Sequence, residues 1–284
     1  MRRYIEGGGT ENDGNFLYAL AFAIYRQLRT ELQITKPDRS EFGTEPYTGL
    51  TPWLDDLMPR LGDRTLFLTI DEFEIIGKAI AQEKLTEEML GALRHLMQHN
   101  DKISFIFAGV QTMEALGPNS ASYFISVYPI EIGYLAPKEA EELIRRPDPT
   151  AGKMPDYGDA VVTELMRQTR CHPYLIQAIC SEIVAVANAR SITRIDDATL
   201  AQVITPVLSA TASQYFKNTW DDAETEGRRV LKTLVGSPQP LDKSSIPDGV
   251  LEGLLKRHVI EKLADGTYDI EIPLVREWIR RQVG

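Results

Sequence analysis

Hydrophobic residues in the first 135 positions follow two different periods. Apolar side chains recur every three or four residues after Gly14, again over residues 53–61, and again over residues 86–99. This spacing predicts amphipathic helices. Residues 65–70 and 103–108 are instead nearly unbroken apolar runs, which are typical of strands buried on both faces of a parallel sheet.

Weaker signals complete this first region. Residues 3–5 and 127–132 are candidate strands, and the Pro- and Gly-rich residues 36–52 predict a loop. Strands that alternate with helices indicate an α/β layered sheet. We therefore assign residues 1–135 to an α/β core.

After Pro137 the pattern predicts helices only. Four helices are expected, at residues 137–146, 160–168, 174–189 and 196–212. Together they would form a small helical domain, which we place at residues 136–215.

The remaining residues, 222–284, combine helices with a hairpin signal. Apolar residues at helical spacing come first, and a second helix is predicted at residues 247–257. Two short strands then flank residues 264–267, whose Asp-Gly pair favours a tight turn, and a last helix starts near Pro273. This order is the outline of a winged helix.

Composition narrows the class of protein. The 284 residues are 43% hydrophobic and 25% charged, which is ordinary for globular domains. The net charge of −10 repels phosphate backbones and disfavours non-specific nucleic-acid binding. No apolar run reaches the ~20 residues that span a bilayer, and the start lacks the apolar run of a signal peptide. Cys171 and Cys180 show no CxxC spacing. We therefore expect a cytoplasmic protein.

The main chemical signal is the pair Asp71-Glu72, directly after the apolar run at residues 65–70. In open α/β sheets, ligands bind outside the carboxyl ends of the strands. An aspartate there can hold Mg²⁺, and a neighbouring glutamate can orient the water that attacks a γ-phosphate. The dipeptide alone fits a solvated turn after a strand equally well.

Longer stretches around this pair carry a family resemblance. Residues 66–74, Leu-Phe-Leu-Thr-Ile-Asp-Glu-Phe-Glu, resemble the Walker B strand of STAND-type ATPases, which are relatives of AAA+ and origin-recognition-type proteins. Residues 92–99 and 103–109 resemble the helix and sensor-1 strand that follow, and residues 134–140 resemble the entry to the lid. Residues 172–177, His-Pro-Tyr-Leu-Ile-Gln, resemble the lid signature GGHPYLLQ. The matches keep the family's order and span nearly the whole chain.

The resemblance implies a parallel P-loop NTPase-like sheet, a helical lid and a C-terminal winged helix. It implies that ATP or ADP with Mg²⁺ binds between core and lid, and that lid closure acts as a signalling switch. Asp71 would bind Mg²⁺, Glu72 would position water, and Gln111 would be the sensor-1 residue. His172 and Pro173 would face the nucleotide. Protein partners or self-association are expected, whereas DNA binding through the winged helix is disfavoured by the acidic charge.

The sequence departs from the family pattern at the phosphate-binding loop. No G-x-x-x-x-G-K-[ST] occurs, and residues 7–10, Gly-Gly-Gly-Thr, lack the lysine. The loop and the strand before it would precede Met1, so we expect an incomplete sheet and impaired ATP binding by this chain. Truncation, a strand supplied by a partner, and a degenerate module all remain open. Arg170-Cys171 also replaces the glycine pair of the lid signature, and Glu271 stands where signalling relatives have a histidine that contacts the ADP β-phosphate.

Other readings of single features are weaker. The alternative function is a non-catalytic protein-interaction or DNA-binding protein that keeps the ATPase fold. His95 and His99 have a zinc-binding spacing but no third ligand nearby, so a solvated helix face is favoured. The basic triplet at residues 256–258 is short, and Glu261 follows it closely.

Overall fold

The computed structural model describes residues 10–43, 45–109, 120–147, 150 and 154–283. The chain divides into two compact units, Met1–Ile130 and Glu131–Gly284. Each unit has its own cluster of buried apolar side chains. In the second unit one cluster runs through the predicted helical and C-terminal domains, so their separation at residues 215–222 stays a prediction.

The described part of the first unit is mostly helical with two strands. Its elements are α1 (Asp13–Leu32), a 3₁₀ turn (Arg39–Phe42), α2 (Pro46–Arg60), β1 (Leu66–Ile70), α3 (Glu74–Ala81), α4 (Glu87–His99), β2 (Ile103–Phe107) and a second 3₁₀ turn (Ser120–Phe124). The predicted helices near Gly14, at 53–61 and at 86–99 are confirmed, as are the strands at 65–70 and 103–108. The candidate strand at residues 3–5 lies outside the described residues.

Residues 36–52 are more ordered than predicted. The 3₁₀ turn Arg39–Phe42 interrupts the expected loop, and α2 already begins at Pro46. Proline at the first helical position has a suitable φ and needs no hydrogen-bond acceptor, so Pro46 starts a helix here. The 3₁₀ turn packs closely against Gly14 and Gly49. A Cβ on Gly14 would lie 2.0 Å from the Phe42 carbonyl oxygen, and a Cβ on Gly49 would lie 2.2 Å from the Glu41 carbonyl oxygen.

β1 and β2 form a two-stranded parallel sheet, with register from Leu66↔Ile103 to Ile70↔Phe107. One face is buried, as Leu68 and Ile70 show with 8% and 4% exposure. The prediction that β1 is buried on both faces is wrong for the described residues, because Phe67 is 65% exposed. Its apolar run reflects a sheet face that the described residues do not cover.

The predicted strand at residues 127–132 is also wrong, because this segment has no regular secondary structure. Tyr128, Ile130 and Ile132 are between 79% and 92% exposed. Pro129 in its middle has no N–H to donate, and the described residues provide no neighbouring strand for it.

The second unit consists of helices and two small sheets. Its elements are α5 (Pro137–Arg145), β3 (Asp156–Tyr157), α6 (Asp159–Thr169), α7 (Pro173–Arg190), β4 (Arg194–Ile195), α8 (Asp197–Pro206), a π-helical turn (Val207–Thr211), α9 (Ser213–Asp222), α10 (Glu224–Gly236), a 3₁₀ turn (Lys243–Ser245), α11 (Asp248–Lys256), β5 (Ile260–Lys262), β6 (Tyr268–Ile270) and α12 (Pro273–Val283). β3 pairs with β4 in parallel, and β5 pairs with β6 in an antiparallel hairpin.

Most predicted elements of this unit are confirmed, with one change. The helix expected over residues 196–212 leaves α geometry after Pro206 and continues as the π-helical turn Val207–Thr211. The Ala212 amide donates to the Val207 carbonyl at 2.9 Å, which closes that wider turn. The order helix, helix, hairpin, helix at the C-terminal end follows the sequence pattern, and Leu241 adds a bridge to Tyr268. No helix in the described part of the chain is both long and apolar enough to cross a membrane.

Candidate functional site

The carboxyl ends of β1 and β2 are held together by backbone hydrogen bonds. The Ala108 amide donates to the Ile70 carbonyl at 2.9 Å, and the Phe73 amide donates to the Ala108 carbonyl at 3.1 Å. Asp71 and Glu72 lie in the turn between these contacts, and both are exposed. The structure therefore brings Asp71 and Glu72 to the edge where ligands of α/β sheets bind.

The Asp71-Glu72 turn has an unusual backbone. Glu72 has a φ of +52°, and the Asp71 carboxylate accepts a hydrogen bond from the Glu72 amide at 3.1 Å. A non-glycine residue in this region is strained, and such strain is concentrated at functional sites. However, the Asp71 and Glu72 carboxylates are exposed to solvent. They therefore pay no desolvation cost that a bound cation would have to offset. The geometry alone therefore fits a Mg²⁺ ligand and a solvated turn.

Glu74 is a carboxylate at this edge that the sequence did not single out. It is the first residue of α3 and only 7% exposed. A Cβ on Gly109 would lie 2.1 Å from its Oε2 and 2.8 Å from the Phe73 ring. A side chain at this position would have to displace the Glu74 carboxylate and the Phe73 ring, so the chain leaving β2 passes close to the start of α3. A glycine immediately after a buried strand was the available signal for this close approach. Gln111 lies outside the described residues.

His172 and Pro173 lie at the start of α7, where His172 is the N-cap and Pro173 the first helical residue. The two residues before them, Arg170 and Cys171, have φ of +51° and +61°. This is the left-handed region that glycine adopts most readily. The turn thus has a backbone conformation that favours glycine, although neither residue is a glycine. The Leu135 amide donates to the Cys171 carbonyl at 3.2 Å, which joins the turn to the segment before α5.

The His172 ring is surrounded by tyrosines. Its centroid lies 5.2 Å from Tyr134, 5.0 Å from Tyr215 and 6.4 Å from Tyr174. Burial lowers the pKa of His172, because desolvation penalises the imidazolium form. Its Nδ1 is buried and finds no hydrogen-bond partner among the described residues. Such a nitrogen can still take one polar contact.

Glu271 has a histidine beside it that the sequence analysis did not identify. Its carboxylate lies 3.5 Å from Nδ1 of His258, whose Nε2 is 3.1 Å from Glu131. Burial raises the pKa of Glu271, as does Glu261, whereas His258 and Arg170 oppose this rise.

The basic triplet at residues 256–258 is already engaged. Lys256 pairs with Glu252 at 3.3 Å, Arg257 donates to the Asp222 carbonyl, and His258 faces the two carboxylates described above. These contacts compete with phosphate and disfavour DNA binding through this segment.

The two histidines of α4 stack on each other. The rings of His95 and His99 lie 4.2 Å apart, and Nδ1 of His99 is 3.1 Å from the His95 carbonyl oxygen. Within the described ranges, no group of three His, Cys, Asp or Glu residues is arranged to hold a metal ion. Asp71 and Glu72 belong to the first unit, and His172 and Pro173 to the second.

Comparison with known proteins identifies the fold. No protein-family model matches the chain, and no curated protein matches it. Among solved structures, the Walker-type ATPase of Pyrococcus abyssi aligns over 98% of this chain and 81% of its own, with a TM-score of 0.59 and 14% identity. The Aeropyrum pernix ORC2 protein, in ADPNP and ADP complexes, aligns over 99% and 78%, with a TM-score of 0.56 and 12% identity. The chain therefore shares its fold with the Walker-type ATPase and the ORC2 protein.

Proposed function

We propose that the chain is a nucleotide-binding switch module of the STAND kind, which binds ATP or ADP with Mg²⁺ at the edge where β1 and β2 end. The observation that carries the proposal is the position of Asp71 and Glu72, exposed beside the joined carboxyl ends of two parallel strands. The likeness of fold to ATPases supports it.

Each site residue has a separate role in this proposal. Asp71 holds Mg²⁺, whose charge stabilises the phosphates, and Glu72 orients the water that attacks the γ-phosphorus. Gln111 contacts the γ-phosphate as the sensor-1 residue. Hydrolysis then depends on positioning and electrostatic stabilisation more than on covalent chemistry by the protein.

In the second unit, we propose His172 and Pro173 as residues that face a nucleotide. Burial favours a neutral imidazole, and its unpaired Nδ1 would give a nucleotide a polar contact without added charge once the surrounding tyrosine rings move aside. Pro173 fixes the start of α7 and so the direction of that ring. The switch is a change between two arrangements of the chain that nucleotide and Mg²⁺ bias differently.

The proposal includes weak binding by these 284 residues alone. A P-loop supplies backbone amides and a lysine to the phosphates, together with a hydroxyl to Mg²⁺. The printed sequence has no G-x-x-x-x-G-K-[ST], so the strand-edge carboxylates act without those donors. ATPase activity is expected only when such a loop is supplied.

A ligand-observed NMR titration tests the proposal. Saturation transfer to millimolar ATP should appear with Mg²⁺, and Asp71→Asn should weaken it about tenfold, because one charged metal ligand is lost. Asp63→Asn is the matched control, since Asp63 is exposed in the turn before β1, at the opposite end of the same strand. A saturation-transfer signal of ATP that does not depend on Mg²⁺, or that both substitutions weaken equally, would contradict the proposed site.

The second candidate is a non-catalytic protein-interaction protein with the same fold. It is favoured by the exposed apolar side chains of Ile125, Tyr128 and Ile130, each at least 79% exposed. DNA binding is the less supported form of this candidate because the basic triplet is engaged. A salt-dependent gel shift with duplex DNA would reverse that order.

A further inference from the structure

Three aromatic side chains form a row along α1. Tyr18, Phe22 and Tyr25 follow each other at intervals of four and three residues, which places them on one face of the helix. The Tyr18 and Phe22 rings stack, with centroids 5.7 Å apart and planes at 17°. The Tyr25 ring lies 5.9 Å from Phe22 at 31°. All three rings are only partly buried, so the row lies at the border between the core and the solvent.

A positive side chain lies over each ring of this row. The charged groups are 5.5–6.0 Å from the ring centroids, in the order Arg39 over Tyr18, Lys36 over Phe22 and Arg29 over Tyr25. Arg29 belongs to α1 itself, whereas the other two cations come from the chain that follows the helix. We call these six residues the aromatic–cation row. Its positive charges are aligned with its rings along the helix.

The cations of the row form no ion pair with any residue that the structure describes. Arg39 donates a hydrogen bond to the neutral side chain of Asn15 at 2.8 Å. Hydrogen bonds from Ser40 lower the pKa of Asp38, and the charge of Lys36 adds to this effect. Asp38 is thus the acid that partly balances the row, and its carboxylate already accepts from the Ser40 amide at 3.0 Å. The aromatic–cation row therefore keeps a local excess of positive charge.

This combination of groups fits one class of partner best. The net charge of −10 repels polyanions, but salt screens charges farther apart than about 10 Å at roughly 0.1 M, so the local charges decide at contact. Proteins bind single-stranded nucleic acid with positive side chains for the phosphates and aromatic side chains for the bases. A duplex hides its base faces, and an acidic peptide offers charge without a series of flat rings.

We propose that the aromatic–cation row of α1 is a binding surface for single-stranded nucleic acid. On binding, the flexible cations move from the ring faces to the phosphates, and bases stack on the rings that are uncovered. The exchange is favourable because an exposed cation–π contact is weaker than a base stack combined with a phosphate contact. This surface lies apart from the strand-edge carboxylates in the sequence, and the inference does not depend on the proposed nucleotide function.

Fluorescence anisotropy with a labelled thymidine oligonucleotide of about 12 nucleotides tests the charges. We expect saturable binding with a Kd of roughly 10–100 µM near about 50 mM salt. The logarithm of affinity should fall against the logarithm of salt concentration with a slope of about −2, because three phosphate contacts each release about 0.7 counterion. Lys36→Gln should weaken binding and reduce this slope by about 0.7. Lys84→Gln, at an exposed position after α3, is the matched control and should change neither quantity.

Phe22→Leu tests the stacking separately from the charges. Leucine keeps an apolar side chain but has no ring face, so binding should weaken at least about fivefold at every salt concentration. The slope should stay the same, since the number of phosphate contacts is unaltered. Circular dichroism checks that the variant is folded. Lys36→Gln changes only an exposed side chain, so its slope decides the proposal even if Phe22→Leu lowers stability.

Several outcomes would overturn the proposal. These are the absence of saturable binding, equal effects of Lys36→Gln and Lys84→Gln, and unweakened binding by folded Phe22→Leu. A duplex of the same length that binds as tightly would mean that phosphates alone are recognised. Polyglutamate that competes equally at the same concentration of charges would assign the surface to an acidic protein instead.

Discussion

Left-handed backbone occurs at both places that carry the candidate site residues. Glu72 has this conformation at the end of β1, and Arg170 and Cys171 have it before α7. It costs an L-residue roughly 1–2 kcal/mol, because Cβ approaches the following carbonyl oxygen. Several helix ends in the chain, such as Gln33 and Ser191, adopt it as well, so the conformation alone does not identify function. It does show that the turn before α7 holds two non-glycine residues in a conformation that glycine adopts most readily.

Cys171→Gly and Cys171→Ala form a matched pair for measuring this strain. Both substitutions remove the half-buried thiol, but only glycine adopts the positive φ of this position without strain. The glycine variant should be more stable than the alanine variant by about 1 kcal/mol, after the extra entropy of glycine in the unfolded chain is subtracted. Urea unfolding monitored by circular dichroism measures the difference. Equal midpoints and slopes would mean that Cys171 is not held in this conformation.

At the scale of elements, two glycines decide how the first unit assembles. Gly14 of α1 and Gly49 of α2 lie against backbone carbonyls of the same 3₁₀ turn, Arg39–Phe42. Helix propensity would favour alanine at both positions. Glycine is required instead because a methyl group would overlap with carbonyl oxygens, which cannot move without displacing the turn.

Gly14→Ala should therefore destabilise the chain by about 2–4 kcal/mol, as overpacking against rigid backbone does. Gly91→Ala is the control, because a Cβ on Gly91 of α4 would meet only the Tyr123 ring, at 3.7 Å. That variant should be neutral or up to about 1 kcal/mol more stable. Thermal unfolding of both variants measures the contrast. Equal effects would show that the 3₁₀ turn does not depend on Gly14.

Elements with a long and regular pattern were predictable, and those set by neighbours were not. The apolar periods of α4 and α7 gave helices close to the observed bounds. The short helix α3 was missed because its residues follow directly after the acidic pair and offer little more than two turns of pattern. Residues 127–132 read as a strand, yet a strand forms only where another one pairs with it.

At the scale of the whole molecule, the two apolar cores are separate. The buried cluster of the first unit runs from Phe16 to Phe124, and that of the second from Ala140 to Ile279. Among the residues that the structure describes, neither cluster contains a buried residue of the other unit. Each unit therefore meets the requirement for a domain that folds on its own.

Residues 131–284, expressed alone, should accordingly unfold in one cooperative transition. Circular dichroism in urea would follow this transition. The unfolding free energy should fall with urea concentration about half as steeply as for a chain twice as long. A fragment that exposes apolar surface to a dye and shows no cooperative transition would contradict the independence of its core. Phe216→Ala is a suitable internal control, since this buried side chain should lower the midpoint of fragment and full chain by a similar free energy.

The candidate site was predictable in part. Asp71 and Glu72 were found because an apolar strand that ends in carboxylates is a local pattern in the sequence. Glu74 beside Gly109 and His258 beside Glu271 were not found, because their partners come from distant positions and only the folded chain brings them together. The roles of Asp71, Glu72, Gln111, His172 and Pro173 stay predictions.

The π-helical turn at Val207–Thr211 sets the rotation of the following helix, α9, about its axis. Each residue of an α-helix advances the chain by about 100°, so one surplus residue in a turn rotates the next helix by that angle. In this phase Phe216 is buried in the core, and the Thr211 carbonyl accepts a hydrogen bond from the Tyr174 hydroxyl at 3.2 Å. The number of residues between Pro206 and Ser213 is consequently fixed, and a one-residue deletion there would point an aromatic ring into water while leaving the composition of the chain almost unaltered.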